Sequence, residues 1–262
     1  MSLKITILTE NEAGSYFLAE HGLSYLIETE NQKILFDTGY SDVFLQNAKK
    51  LNIDIQSKVD TVVLSHGHWD HGDGLRYIEN KTLITHPSAF IKRYRKNDNS
   101  YIGLALSKEE IEKKFHLILS ETPYKLNDNL YYLGTIPRIN DFEAFTTPFI
   151  KDDNKPDFVS DDSALAAIQD NELIVITGCS HAGICNIIEY AKKITGVEKV
   201  KAVIGGFHLK FHNNQTSMTI EYLKDQNIEQ IYPAHCTQLP ALAAFYEAFK
   251  SKHITTGTIL NF

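Results

Sequence analysis

The segment Ser65-His66-Gly67-His68-Trp69-Asp70-His71-Gly72-Asp73-Gly74 sets three imidazoles and a carboxylate within six consecutive positions, His66 to His71. Crowding these groups is costly unless something positive holds them. Neutral imidazole is the preferred nitrogen ligand of zinc and similar borderline metals, and carboxylate completes such sites. His66 and His68 lie two apart and point the same way from extended backbone. Asp70 and His71 follow on the next turn, where they can face a second metal. Gly67, Gly72 and Gly74 leave the backbone room to wrap. A solvated loop that happens to be histidine-rich is the competing reading, and it accounts for neither the density of the motif nor its place after a strand.

The elements that must position this segment are legible on both sides of it. Residues 59–65 form a short, nearly continuous apolar run, the pattern of a strand buried on both faces. The histidines therefore emerge at the sheet edge where α/β proteins bind ligands. Upstream, residues 4–9 read as a strand, and 23–28 with 33–36 as a hairpin running into Asp37-Thr38-Gly39. Ser41 is the expected cap of a helix through Leu51. Residues 83–86 form the next strand. The charged stretch 92–114 reads as an insertion or lid around 92–115, with a capping box of Ser107 and Glu110 opening a short helix. Residues 116–119 and 130–133 are expected in a second sheet, and 140–162 is a long loop, functional or disordered. A hairpin (163–168, 173–177), a helix (185–194), a strand (200–204), a helix (216–225), a strand (230–232) and a last helix (240–250) complete the chain. Strands first, then β and α alternating, imply a layered α/β architecture, read over residues 1–262 as a single domain.

Composition removes several function classes. A net charge of -7 with scattered Lys and Arg gives no footprint for long nucleic acid. No apolar run approaches the roughly eighteen residues of a spanning helix, so no membrane partner is expected. Three cysteines, Cys179, Cys185 and Cys236, make no disulfide framework and suit a reducing compartment. The start of the chain lacks a basic stretch, an apolar core and a cleavage site, and the expectation is a cytoplasmic protein. There is no G-x-S-x-G elbow for a covalent serine and no phosphate-binding G-x-x-x-x-G-K-[ST] loop.

His-x-His-x-Asp-His after a buried strand, with Phe36-Asp37-Thr38-Gly39 upstream, resembles the metallo-β-lactamase superfamily. The resemblance implies a four-layer αββα sandwich with a mono- or dinuclear metal site at the open edge of its two sheets. Gly134-Thr135-Ile136-Pro137-Arg138 with Phe142-Glu143, Asp161-Asp162, Thr177-Gly178-Cys179-Ser180-His181-Ala182-Gly183, Gly205-Gly206-Phe207-His208-Leu209 and His235-Cys236-Thr237 are similar to one subgroup. Its members are labelled as like the ribofuranosylaminobenzene phosphate synthase of the methanopterin pathway, and the likeness runs from Lys4 to His235. The synthase activity is not carried over with it.

The resemblance assigns His66 and His68 to a first metal, and Asp70 and His71 to a second. His181, leaving a buried strand through a glycine turn, is the third ligand of the first metal, and His235 is the candidate for the second. Each has a satisfied strand-end histidine as its alternative. The ions are two divalent metals, zinc in the first place, with manganese or iron as alternatives. Many members carry a bridging aspartate where this chain has Cys179. Either the thiolate ligates, or a carboxylate such as Asp162 substitutes, or the second site is weak. Asp161 and Asp162 read equally as a cap. Asp37 is expected to accept a hydrogen bond from a ligand imidazole. Asp70 orients the attacking group and takes its proton, and His208, with Arg138, faces the substrate as an acid or an anion contact, a structural role being the alternative for His208. Trp69 reads as packing; His21, His86, His116, His212 and His253 read as structural or exposed.

The implied reaction is hydrolysis by a metal-activated hydroxide, on a small phosphoester or cyclic phosphodiester. Ester, lactone or thioester hydrolysis is the alternative. A catalytically silent metal-binding module, and a di-iron protein reducing oxygen or nitric oxide, are the rivals from other classes. The partner is a small anionic molecule, and the sequence carries no reading of oligomeric state.

Overall fold

The computed structural model describes residues 2–262. It forms two compact units: Met1–Glu121 with Pro148–Asp157 and Thr255–Phe262, and Thr122–Thr147 with Phe158–Ile254.

The first unit is built on a seven-stranded mixed sheet. Its order is Ile259–Asn261, Lys4–Thr9, Ser24–Glu28, Lys33–Phe36, Thr61–Val63, Lys81–Thr85 and Phe115–Leu119. The expected hairpin is present, with Tyr25 opposite Phe36 and Glu28 opposite Lys33, and from Lys33–Phe36 onward the pairing is parallel. Leu35, Val62 and Leu83 join one apolar cluster with Leu8, Leu26 and the helix residues Phe44 and Ala48. By strand alternation Ile34, Phe36, Val63 and Ile84 take the opposite face, and they are buried too. That two-sided burial is why the run at 59–65 shows no polar alternation.

Three differences from the sequence reading have physical causes. The strand at 59–65 is only Thr61–Val63, because the Ser65 amide bonds to the Asp37 carboxylate instead of a neighbouring strand. Phe115–Leu119 is the edge of the first sheet, not part of a second one. The short helix Lys108–Lys114, whose capping box is present, runs straight into it, and the Asn80 amide bonds to the Lys114 carbonyl at 2.7 Å. Part of 140–162 is ordered as Phe149–Lys151, paired antiparallel with Arg93–Arg95.

The last of these is fastened by a fully buried ion pair, Arg93 Nε to Asp157 at 3.3 Å, with the Arg93 guanidinium also donating to the Ser88 carbonyl at 2.9 Å. Removing one partner strands the other charge in the interior. Asp157→Ala is expected to cost about 3–5 kcal/mol in urea unfolding. A loss below roughly 1 kcal/mol, the scale of an exposed pair, would contradict the fastening role.

The second unit holds a six-stranded sheet. Its order is Gln230–Ala234, Val200–Gly206, Glu172–Thr177, Ala164–Gln169, Leu130–Tyr132 and Tyr124–Asn127. The first three strands are parallel, joined through helices Ile184–Thr195 and Asn214–Asp225. Ile187, Ile188, Ala191 and Leu223 on those helices, with Phe245 from Leu239–Phe249, pack against Ala166, Val175 and Val203. Gln230–Ala234 runs past the expected end at Tyr232 because Pro233 is tolerated on an edge strand. Among the described residues no helix is long and apolar enough to cross a membrane.

In each unit the candidate residues follow the carboxyl ends of parallel strands, where such sheets bind ligands. Asp37 follows Lys33–Phe36 and the histidine segment follows Thr61–Val63; in the second unit Cys179 to His181, His208 and His235 follow successive strands.

Candidate metal centre

In the first unit the structure brings the side chains of the histidine segment together, with His66 in a bend after the strand. His68 is extended (φ −88°, ψ 147°) and precedes the single helical turn Trp69–Gly72, which carries Asp70 and His71. His66 Nε2 lies 2.9 Å from His68 Nδ1, and the His66 and His71 rings are 4.2 Å apart. Donor atoms of Asp70 and His71 lie within 4.8 Å of each other. All four side chains are buried. Gly67 is dictated by packing: a Cβ there would sit 1.8 Å from the Ala89 carbonyl oxygen.

Asp37 organises this cluster. Its carboxylate accepts from the Ser65 amide, the Ser65 hydroxyl and His71 Nδ1, each at 2.7 Å. The backbone there is left-handed (φ 56°), a conformation that costs of order 1–3 kcal/mol and clusters at functional sites. With Nδ1–H of His71 donated to a carboxylate, Nε2 keeps the lone pair that a metal needs. Burial holds the His66 pKa well below its ordinary value, and the neighbouring His71 and His68 push it the same way. Three clustered imidazoles beside a carboxylate, with His71 oriented by its Nδ1 contact to Asp37, fit a borderline divalent ion.

His21, read as structural or exposed, places Nε2 3.2 Å from Asp70 Oδ2. Its distance in sequence left no signal. Trp69 packs between His21 and Tyr40, with ring centroids at 5.4 and 4.9 Å, so its reading as packing holds. Phe149 meets the His68 ring edge-on at 5.0 Å. His86 is structural: its Nδ1 accepts from the Ser88 amide.

In the second unit, His181 and His208 have ring centroids 4.3 Å apart. The turn before His181 is held by Ser180, whose hydroxyl lies 2.8 Å from that of Thr177 and donates to the Gly206 carbonyl at 2.6 Å. His235 is buried at the end of Gln230–Ala234. The His208 amide donates to Cys236 Sγ at 3.2 Å, and donor atoms of Cys179, His208 and Cys236 all lie within 4.8 Å of one another.

Asp161 and Asp162 are both buried. Asp162 Oδ2 accepts from the Ala182 amide at 2.9 Å, while its Oδ1 is buried with no hydrogen-bond partner among the described residues. Burial pushes its carboxyl up to about 7, against the backbone amides of Ala182 and His181 and the more distant Arg138, which lower it. Arg138 itself is exposed, donating to the Phe158 carbonyl. The helix that follows is capped instead by Glu143, which accepts from the Cys185 and Asn186 amides at 3.1 Å; its distance in sequence hid that role.

The Asp162 shift carries a pH prediction. With a native pKa of about 7 against an ordinary 3.8, the folded state binds the extra proton, so stability falls as pH rises between those values. In metal-free protein Asp162→Asn is expected to melt well above the parent at pH 8, by on the order of 3–4 kcal/mol, and to match it near pH 4. Parallel melting curves for the two proteins at all pH values would contradict this.

Comparison with known proteins agrees with the geometry. The family description metallo-β-lactamase superfamily matches residues 19–192. An uncharacterized protein of Methanocaldococcus jannaschii is 41% identical over 246 residues, covering 91% of this chain and 92% of that one. The 7,8-dihydropterin-6-methyl-4-(β-D-ribofuranosyl)-aminobenzene-5'-phosphate synthase of the same organism is 36% identical, covering 100% of this chain and 97% of its own. The crystal structure of a metal-dependent hydrolase of the β-lactamase superfamily superposes with a TM-score of 0.88 at 30% identity, over 98% of each chain. A diphosphatase of the PhnP family, 12% identical with a TM-score of 0.57, covers 100% of this chain and 98% of its own, and shares the fold alone. The chain belongs to the metallo-β-lactamase superfamily and has its α/β fold.

Proposed function

We propose that the protein is a metal-dependent hydrolase of small anionic molecules, acting first on a phosphoester or cyclic phosphodiester. The observation that carries this reading is the buried imidazole cluster of His66, His68 and His71, with the His66 pKa held well below its ordinary value by burial, Asp37 bonded to His71 Nδ1 and Asp70 alongside. Two divalent ions, zinc in the first place, are assigned to His66, His68, Asp70, His71, His181 and His235. A bound divalent ion supplies Lewis acidity and lowers the pKa of water from about 15.7 toward about 7.

Asp70 has the position and chemistry to orient a water and accept its proton, with His21 against the other side of its carboxylate. Phe149 covers the edge of the His68 ring, and Trp69 packs against His21. His208 is the further polar group toward the substrate. The absence of a serine elbow supports direct attack by water over a covalent route. The reading includes a cytoplasmic protein with soluble small-molecule substrates, in keeping with its odd cysteine count.

The synthase relative favours a second reading, in which the same cluster serves a synthase reaction on a phosphate-bearing molecule. One assay separates the two. Chelator-stripped protein, with zinc or manganese restored, is given bis-p-nitrophenyl phosphate, p-nitrophenyl acetate and a simple lactone in turn. Metal-dependent turnover of the phosphodiester above the carboxylic esters is the expected result. Turnover of the esters alone would move the substrate class, and no turnover of any with metal bound would favour the synthase reading.

A further inference from the structure

We propose that Cys179, His208 and Cys236 form a thiolate-rich site for a thiophilic divalent ion such as zinc or cadmium. This site goes beyond the hydrolase reading and assigns His208 as a ligand instead of an acid.

Three successive loops of one sheet supply the donors: Cys179 after Glu172–Thr177, His208 after Val200–Gly206, Cys236 after Gln230–Ala234. Each of those loops contains a non-glycine residue in the left-handed region, Ser180 (φ 56°), His208 (φ 51°) and His235 (φ 51°). Such conformations cost of order 1–3 kcal/mol apiece and persist only where the surroundings impose them. A Cβ on Gly206 would lie 2.5 Å from both Cys236 Sγ and the Gly178 carbonyl oxygen, so glycine there leaves room for the thiol and for the loop that carries Cys179. The thiol is held there from two sides, accepting from the His208 amide and donating to the Cys179 carbonyl at 3.4 Å.

Two sulfurs and one imidazole are the donor set of soft and borderline ions. Metal–sulfur bonds of about 2.3 Å and metal–nitrogen bonds of about 2.0 Å set tetrahedral donors roughly 3.5–3.8 Å apart. The three donor atoms already lie within 4.8 Å of one another, so closure needs side-chain movement of about 1 Å. On binding, two S–H bonds give way to two metal–sulfur bonds and two protons pass to the buffer, with no change of oxidation state. Cys185 is the internal contrast. It packs in the apolar cluster, and burial holds its thiol well above the ordinary range.

The test is a cobalt(II) titration of the reduced, chelator-stripped full-length protein under exclusion of air. A thiolate-to-cobalt charge-transfer band in the near ultraviolet is expected. Cys236→Ser should lose at least half of its intensity, and Cys185→Ala should keep it. Cadmium should also slow iodoacetamide alkylation of Cys236 in the unmutated protein at least tenfold, a readout independent of how any variant folds. Absence of the band, or an unaltered band in Cys236→Ser, would overturn the proposal, as would alkylation of Cys236 at the same rate with and without cadmium. The band is read on metal alone and should survive His68→Ala, whereas hydrolysis should not, so the failure of either reading is distinguishable from that of the other.

Discussion

Asp70→Asn and His68→Ala are each expected to reduce phosphodiester turnover by on the order of a thousandfold or more, with the circular dichroism of the parent retained. His68 is the extended residue that caps the helical turn carrying Asp70, and the two side chains serve different ends. His68 is a nitrogen donor packed against His66, and its loss removes a ligand. Asparagine at Asp70 keeps the shape and the contact to His21 but cannot take a proton from water. Asp70→Asn should therefore retain more metal than His68→Ala while losing activity to a similar degree. Turnover within tenfold of the parent in either variant would remove that residue from the mechanism.

Asp37→Ala is expected to weaken metal binding by about 10–100-fold, the usual cost of deleting the carboxylate behind a ligand histidine. It should also destabilise the fold. The Ser65 amide, the Ser65 hydroxyl and His71 Nδ1–H would all lose their acceptor in a fully buried place. A buried donor left unsatisfied costs about 1–3 kcal/mol, so a loss of several kcal/mol is expected even though the terms do not add fully. Some of that loss is offset because alanine also removes a charge from the interior. Chemical unfolding of the metal-free variant gives the structural part, and competition with a chromophoric chelator gives the part felt through His71. Unchanged metal affinity alongside lowered stability would make Asp37 a purely structural carboxylate.

How much of this was legible in the sequence depended on how local each feature is. The ligand segment was readable because its donors crowd into the loop after a strand and the one helical turn that follows, and Asp37 because it directly follows a strand. The parallel strands were readable as uninterrupted apolar runs, though their ends were not. Thr61–Val63 stops early because a side chain takes over the Ser65 amide, and Val200–Gly206 and Gln230–Ala234 run long through glycine and proline. Sheet membership was misjudged at Phe115–Leu119, since nothing within a strand says which neighbour it pairs with. The partners farthest apart in sequence carried no signal at all: His21 beside Asp70, Arg93 with Asp157, Glu143 capping Ile184–Thr195 and Cys236 against Gly206. Each is a contact between separate elements that only the packing of the chain brings about.

The central claim is that this fold holds metal and uses it for hydrolysis. The most direct measurement is the metal content of protein purified without added metal, determined by elemental analysis beside its turnover of bis-p-nitrophenyl phosphate. At least two zinc, manganese or iron ions per chain, a third being expected where the thiolate site is filled as well, with turnover lost on chelation and regained on restoring the metal, is the predicted result. Turnover that persists after the metal has been stripped, or a chain that binds none and stays inactive when metal is returned, would contradict it.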